Sequence, residues 1–254
     1  MTITIGIAIG LWVAVAAGFL VEGVIGFGST VIVVSVGSQL VPVTTLLPAF
    51  VPLNMVLSTW LLLRGRHLVA WRVLAQEIAA PVIVGLGAGM AIASVAPLPA
   101  LQLTLAIGIV LLATIELWRG RLGAVAPPAA PLALPTRLVV YGLGGVAHGL
   151  FAVGGPLITY ALRRTLTDKS AFRATLAVLW LSLNTLLVTR WLWAGTFDAD
   201  SGQYMLLMAT ALVPGAWLGD RLHHRLPADK FGKLVWSVLL VAGLALGVRT
   251  VLAL

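Results

Sequence analysis

Long apolar stretches alternate with short polar gaps along almost the whole chain. Apolar segments fall at roughly 3–21, 25–41, 44–63, 73–95, 99–118, 138–151, 155–162, 172–194, 204–220 and 234–252. A helix of about 20 apolar residues crosses the hydrocarbon core of a bilayer, and the chain supplies that length repeatedly. The pattern predicts an all-α, polytopic membrane protein. Segment 155–162 is too short for a full crossing, so some segments are expected to dip in and return, or to cross only in part. Met1–Leu20 has no basic n-region and reads as a membrane segment rather than a cleaved signal peptide.

Glycine interrupts this pattern at two matching places. The first reads Glu22-Gly23-Val24-Ile25-Gly26-Phe27-Gly28-Ser29-Thr30, the second His148-Gly149-Leu150-Phe151-Ala152-Val153-Gly154-Gly155-Pro156. Glycine loosens a helix interior and leaves nothing to pack. Broken backbone at membrane depth is tolerated only where it is buried in protein or lines a water-filled cavity. A pair of such interruptions in corresponding parts of two halves is the sequence pointer to a transporter's binding site.

Composition sharpens the class. Charged residues make up 9% of the 254 positions and hydrophobic ones 60%, whereas a soluble domain carries about 25% charged, so a water-soluble globule is excluded. The formal charge of +8 would suit a nucleic-acid surface, but the basic residues are not clustered on one element. Gap 64–72 holds Arg64, Arg66 and Arg72; gap 119–137 holds Arg119, Arg121 and Arg137. Gap 163–173 holds Arg163, Arg164, Lys169 and Arg173; gap 221–233 holds Arg221, Arg225, Lys230 and Lys233. Of the 16 Lys and Arg residues, only Arg190 and Arg249 fall elsewhere. The alternate gaps 41–43, 96–98 and 195–203 lack them, and the last carries Asp198 and Asp200. By the positive-inside rule the basic gaps face the cytoplasm of a bacterial-type inner membrane and the others face outward. Glu77 and Glu116, and Trp12, Trp60, Trp118, Trp191 and Trp193, read as interfacial residues. The absence of cysteine removes disulfides and thiolate metal sites.

The Pro-rich stretch Ala126–Pro135 divides the chain into an N-terminal membrane repeat (1–122), a cytoplasmic linker (123–136) and a C-terminal repeat (137–254). Gly28 aligns with Gly154, Asn54 with Asn184 and Pro81 with Pro214, at offsets of 126, 130 and 133. Five segments per half, an odd number, invert the second copy relative to the first, and inverted repeats place substrate near the midplane where the copies meet.

At these residues the chain resembles the sulfite exporter TauE/SafE family, also called the 4-toluene sulfonate uptake permeases. That family carries a duplicated signature close to G-x-x-x-G-x-G-G-G/P after an apolar helix. The run from Gly149 to Pro156 matches it, with Ala152 where glycine is common. The run from Gly23 to Thr30 departs from it by placing Ser29 and Thr30 where glycine-type residues are usual. The resemblance covers nearly the whole chain, including Pro214-Gly215 through Gly219, Arg221 and Leu222. It implies transport of sulfite or an organic sulfonate, in either direction, with no cofactor and no metal.

A sulfonate offers three acceptor oxygens and suits the free N–H groups at a helix N-terminus. The anion is therefore expected near Gly26, Gly28, Ser29 and Thr30 on one side and Gly154, Gly155 and Pro156 on the other, with Thr159 as a further hydroxyl donor. The competing reading is that these glycines serve tight helix packing alone. Asn54 and Asn184 could donate to an oxyanion without adding charge, or simply bond one helix to another. Trp180, near Asn184, could stack on an aromatic substrate. Glu22 and His148 each precede the first glycine of their copy, and intramembrane ionisable groups are functional candidates by default. Both are read as candidates to carry a proton with the anion, against the alternative of a structural ion pair or a water-facing hairpin tip.

An intramembrane lipid-pyrophosphate phosphatase would need clustered carboxylates, an arginine clamp and commonly a metal. Glu22 stands alone in sequence, and no Walker A loop, HExxH motif or Cys/His cluster appears, so no enzyme is expected. A passive anion channel could use the same hairpins and stays open at this point, as does a purely structural subunit. The expected partners are a small sulfur-containing anion and membrane lipids; nucleic acid is not expected, and a homo-oligomer is compatible.

Overall fold

The computed structural model describes residues 3–95, 97–121 and 131–225, with scattered positions between 233 and 251. Linker positions 123–130, gap residues 226–232, part of the final apolar segment including Arg249, and the Glu116 side chain lie outside the described residues. Helices follow the apolar pattern closely: α1 (Ile5–Ile25), α2 (Ser29–Gly37) and α3 (Val43–Gly65), the last extended by one 3₁₀ turn at Arg66–Leu68. A single turn, α4 (Trp71–Val73), passes through a π-helical stretch, Leu74–Ile78, into α5 (Ala79–Ala93). Then come α6 (Leu98–Arg121), α7 (Leu134–Phe151), α8 (Gly155–Leu162), α9 (Lys169–Trp193) and α10 (Ala199–Arg225). Among the described residues four helical stretches are long and apolar enough to cross a membrane: Ile5–Ile25, Val43–Leu68, Trp71–Ala93 and Lys169–Trp193.

The two short helices are the elements that the glycine breaks create. With 9 and 8 residues, α2 and α8 rise about 13 and 12 Å, less than half of the roughly 30 Å core. The first break differs from expectation in its bounds. α1 runs on to Ile25, because Glu22 and Gly23 keep helical backbone, and α2 stops at Gly37 rather than reaching position 41. Gly26 at φ 86° and Gly28 at φ 102° make the break, in the left-handed region that side chains with a Cβ enter only at a cost. In the second break that conformation falls on Ala152, at φ 55°. Pro156 follows at the start of α8, where a missing N–H costs nothing.

The chain forms two compact units, each drawing on both halves of the sequence. One takes Met1–Val69 with Arg173–Arg225, the other Ala70–Phe172 with Leu226–Leu254. In the first, α1 packs along α10, and its core gathers Leu11, Val15, Phe19, Leu46, Phe50, Tyr204 and Met208. Phe19 stacks on Phe50 with ring centroids 5.3 Å apart. In the second, α5 packs along α7, burying Ile78, Val82, Leu86 and Tyr141, while α8 folds back on α7 with Ile158 buried.

The two helix pairs share a register. Gly219 lies against Gly23 and Gly215 against Phe19 in the first unit; Leu86 lies against Gly149 and Val82 against Gly145 in the second. The offsets of 126 and 133 residues carry each contact of the first pair onto the corresponding contact of the second. Glycines on both helices of each pair, Gly23 with Gly215 and Gly219 and Gly85 and Gly89 with Gly145 and Gly149, bring the backbones close, the usual basis of helix association in lipid.

Ala152 stands in a conformation that disfavours any side chain. Ala152→Gly should stabilise the protein by about 1 kcal/mol, read as a higher midpoint of thermal unfolding in detergent. Gly28→Ala, at the corresponding break, should lower it by a similar amount.

Candidate functional site

The end of α1 determines the geometry of the first break. A helix ends with carbonyl groups that lack an intrahelical partner, and in an apolar surrounding each must be met from elsewhere. The Gly26 N–H closes the last turn on the Glu22 carbonyl at 2.6 Å. Three side chains take up the other ends. Arg173 donates to the Gly23 carbonyl at 2.7 Å, and the Trp180 indole N–H to the Gly26 carbonyl at 2.6 Å. The His223 Nδ1 lies 2.6 Å from the Val24 carbonyl. Arg173 and Trp180 come from α9 and His223 from α10, so two helices distant in sequence cap a third.

Arg173 is held in turn by Asp220, at 3.1 Å, and the other oxygen of that carboxylate takes Arg64 at 2.7 Å. Arg173 and Asp220 expose only 12% and 10% of their side chains, whereas Arg64 exposes 59% and also stacks over Trp60. Glycine permits this closeness: a Cβ on Gly26 would meet Arg173 at 3.0 Å.

On the inner side of the break lies a polar cluster with no basic member among the described residues. The Glu22 carboxylate, 3% exposed, accepts from the Ser29 hydroxyl through Oε2 and from the Asn54 amide at 2.8 Å. The same Asn54 nitrogen lies 2.9 Å from the Ser29 oxygen. Asn184 donates to the Asn54 carbonyl oxygen at 2.8 Å. The Glu22 Oε1 is buried with no hydrogen-bond partner among the described residues. Gly28 caps α2 without any side chain, so the Glu22 carboxylate beside Ser29 sits at the N-terminal end of α2, where helix geometry favours an anion. Chemically this is a buried acid sharing hydroxyl and amide donors, with one oxygen free to take a proton.

Of the residues expected from sequence, the structure brings together Glu22, Gly26, Gly28, Ser29, Asn54, Trp180 and Asn184 in the first unit. Thr30 is half-buried on the first turn of α2. Asn54 and Asn184 contact each other directly, which is an interhelical bond of the kind the sequence left open. His148, Gly154, Gly155 and Pro156 are buried together in the second unit. There the His148 carbonyl accepts from the Ala152 N–H at 2.7 Å, and a Cβ on Gly154 would meet His148 at 3.0 Å. The Thr159 hydroxyl, expected as a further donor, donates to the Gly155 carbonyl at 2.7 Å. Glu77, read as interfacial, pairs with Arg137 at 2.6 Å. Sequence reasoning missed Arg173, Asp220, His223 and Arg64 as parts of the site, having taken the arginines as topology signals alone. Asp220, the one acid in segment 204–220 and directly beside Arg221, was the signal available.

Comparison with known proteins agrees with this picture. A family model described as sulfite exporter TauE/SafE matches residues 10–246. A curated relative, the probable inner membrane transporter protein TsaS of Comamonas testosteroni, is 28% identical over 106 residues, 41% of this chain and 44% of that protein. The match thus spans less than half the length of that relative. No solved structure matches the chain.

Asp220→Asn should destabilise the protein by roughly 3 kcal/mol, because it leaves the buried Arg173 charge without its counter-ion. Arg64→Gln, at the exposed arm of the same carboxylate, should cost under about 1 kcal/mol. Thermal unfolding of the two variants, followed by tryptophan fluorescence, checks the difference.

Proposed function

Because the chain belongs to the sulfite exporter TauE/SafE family, we propose that it is a secondary transporter of a sulfur-containing anion working by alternating access. The anion is an organic sulfonate such as 4-toluenesulfonate, or sulfite or sulfoacetate, and it exchanges with the charge on Glu22. The host membrane is a bacterial inner membrane, with the basic gaps on the cytoplasmic side. The shared register of the α1–α10 and α5–α7 pairs supports the reading of two inverted repeats, 1–122 and 137–254, joined by a cytoplasmic linker.

One observation supports the coupling: Glu22 engages the donors proposed here for the anion. Its carboxylate takes the Ser29 hydroxyl and the Asn54 amide at the start of α2, the donors a sulfonate would need there. Two negative charges roughly 4 Å apart repel by about 4 kcal/mol at an effective dielectric near 20, close to a thousandfold in affinity. The sulfonate and the ionised carboxylate therefore exclude one another. A proton on Glu22 removes the repulsion and releases the Ser29 and Asn54 donors to the incoming oxyanion. Return of the proton to solvent restores the carboxylate and expels the anion, so anion and proton move together. Gly26 and Gly28 leave the backbone bare on this side; Gly154, Gly155 and Pro156 supply the matching break, with His148 as the second proton candidate. Asn184 holds Asn54 in place, and Trp180 holds the α1 end that presents Glu22.

Anion binding to wild-type protein should tighten as pH falls, since protonation removes the competing charge. Glu22→Gln should bind equally at all pH values and keep anion exchange, while uptake driven by a pH gradient falls by about tenfold or more. Proteoliposome flux with and without an imposed gradient, run beside His148→Gln, makes the measurement. Gradient dependence unchanged in both variants would reject proton coupling. Ser29→Ala and Asn54→Ala should each weaken binding by about ten- to a hundredfold, the loss of one hydrogen bond to a charged group.

A further inference from the structure

The same two helices that carry Asn54 and Asn184 enclose a second polar feature at their other end. Between the start of α3 and the end of α9 lies a cavity of about 260 Å³, lined by Thr44, Leu47, Pro48, Arg190, Trp191 and Thr196 among others. Asn54 lies ten residues along α3 from Thr44, and Asn184 six residues along α9 from Arg190, distances of about 15 and 9 Å on the helix axes. This end is opposite to Arg64 and to the basic gaps.

Its chemistry differs from that of the buried cluster. Arg190 brings a guanidinium that makes no ion pair or side-chain hydrogen bond among the described residues, and no carboxylate lines the cavity. The nearby Asp198 is already engaged: its Oδ1 accepts from the Ser201 N–H at 2.7 Å and caps α10. That hydrogen bond holds the Asp198 carboxyl below the usual aspartate range, so it stays a committed cap near neutral pH. Thr44 and Thr196 add hydroxyl donors, whereas Leu47, Pro48 and Trp191 form an apolar and aromatic wall. A fixed cation beside hydroxyls and an indole suits an oxyanion joined to an apolar body. The volume falls just below the roughly 300–1,000 Å³ of pockets for drug-sized ligands, fitting a one-ring anion.

We infer that this cavity is an outer subsite, which collects an organic sulfonate through Arg190 and Trp191 before it moves along α3 and α9 to the Glu22 cluster. The inference rests on the transport reading above and adds to it a place where an apolar body is sensed. Sulfite, with no such body, gains only the Arg190 contact there. A lipid headgroup shares the oxyanion chemistry, and the test separates the two sources.

The experiment uses full-length protein in neutral phosphatidylcholine and, in parallel, with added phosphatidylglycerol. In right-side-out vesicles Arg190→Gln should raise the KM for external 4-toluenesulfonate about tenfold with little change in maximal rate, and Arg190→Lys should restore part of it. Trp191→Leu should raise the KM for 4-toluenesulfonate and leave sulfite unaffected. In inside-out vesicles neither change should appear. An unchanged KM, an equal shift from both faces, or an effect seen only with phosphatidylglycerol would overturn the subsite, the last assigning the cavity to lipid. If wild-type protein carries no sulfonate at all, the transport reading fails by itself. Equilibrium binding of 4-toluenesulfonate then decides the subsite: a Kd weakened about tenfold in Arg190→Gln upholds it, while equal or absent binding removes it.

Discussion

A helix that ends in buried surroundings must find partners for its last carbonyl groups, and the rest of the first unit is built around that requirement at the end of α1. These residues are buried, and each unmet carbonyl would cost several kcal/mol. Arg173, His223 and Trp180 meet the Gly23, Val24 and Gly26 carbonyls, drawing α9 and α10 onto the break. Asp220 then balances the Arg173 charge. This fixed end presents Glu22 to Ser29 across the two positive-φ glycines, and it makes a buried acid possible where α2 begins.

The division of labour around Glu22 follows from charge. Basic side chains are confined to the outer shell of the break, where they bond carbonyls and Asp220, whereas the inner cluster offers only hydroxyl and amide groups. A strongly cationic pocket would hold a sulfonate too firmly to release it. In the proposed cycle, a neutral donor set shared with an acid lets one proton decide which anion is present, the bound substrate or the carboxylate itself. Arg190, at the far end of α3 and α9, places a positive charge beside the cavity proposed as the outer subsite.

Much of the architecture was legible in the amino-acid order. Apolar length gave the helices to within a few residues, because lipid leaves backbone groups no alternative but the helix. The two short helices showed as glycine breaks, since few other residues tolerate the φ values at Gly26 and Gly28. Basic gaps and the Asn54/Asn184 alignment were equally plain, and the latter pair does meet in space. Helix α1 nevertheless outran its expected end, because helical backbone continues through Glu22 and Gly23 until left-handed geometry becomes unavoidable.

What no pattern in the sequence could reveal was who caps whom. Arg173 sits in a gap whose charge also satisfies a topology rule, and Asp220 closes an apolar segment beside another such gap, with no local mark naming the partner of either. The bond from Trp180 to Gly26 joins positions 154 apart. Such contacts depend on α9 and α10 crossing α1 at a particular height, which is set by the close approach of Gly23 to Gly219 and of Phe19 to Gly215. Local chemistry thus specifies where the chain is helical and where it breaks. Only packing of distant helices decides which side chains reach the break, because hydrogen bonds act over about 3 Å and sequence carries no measure of that distance.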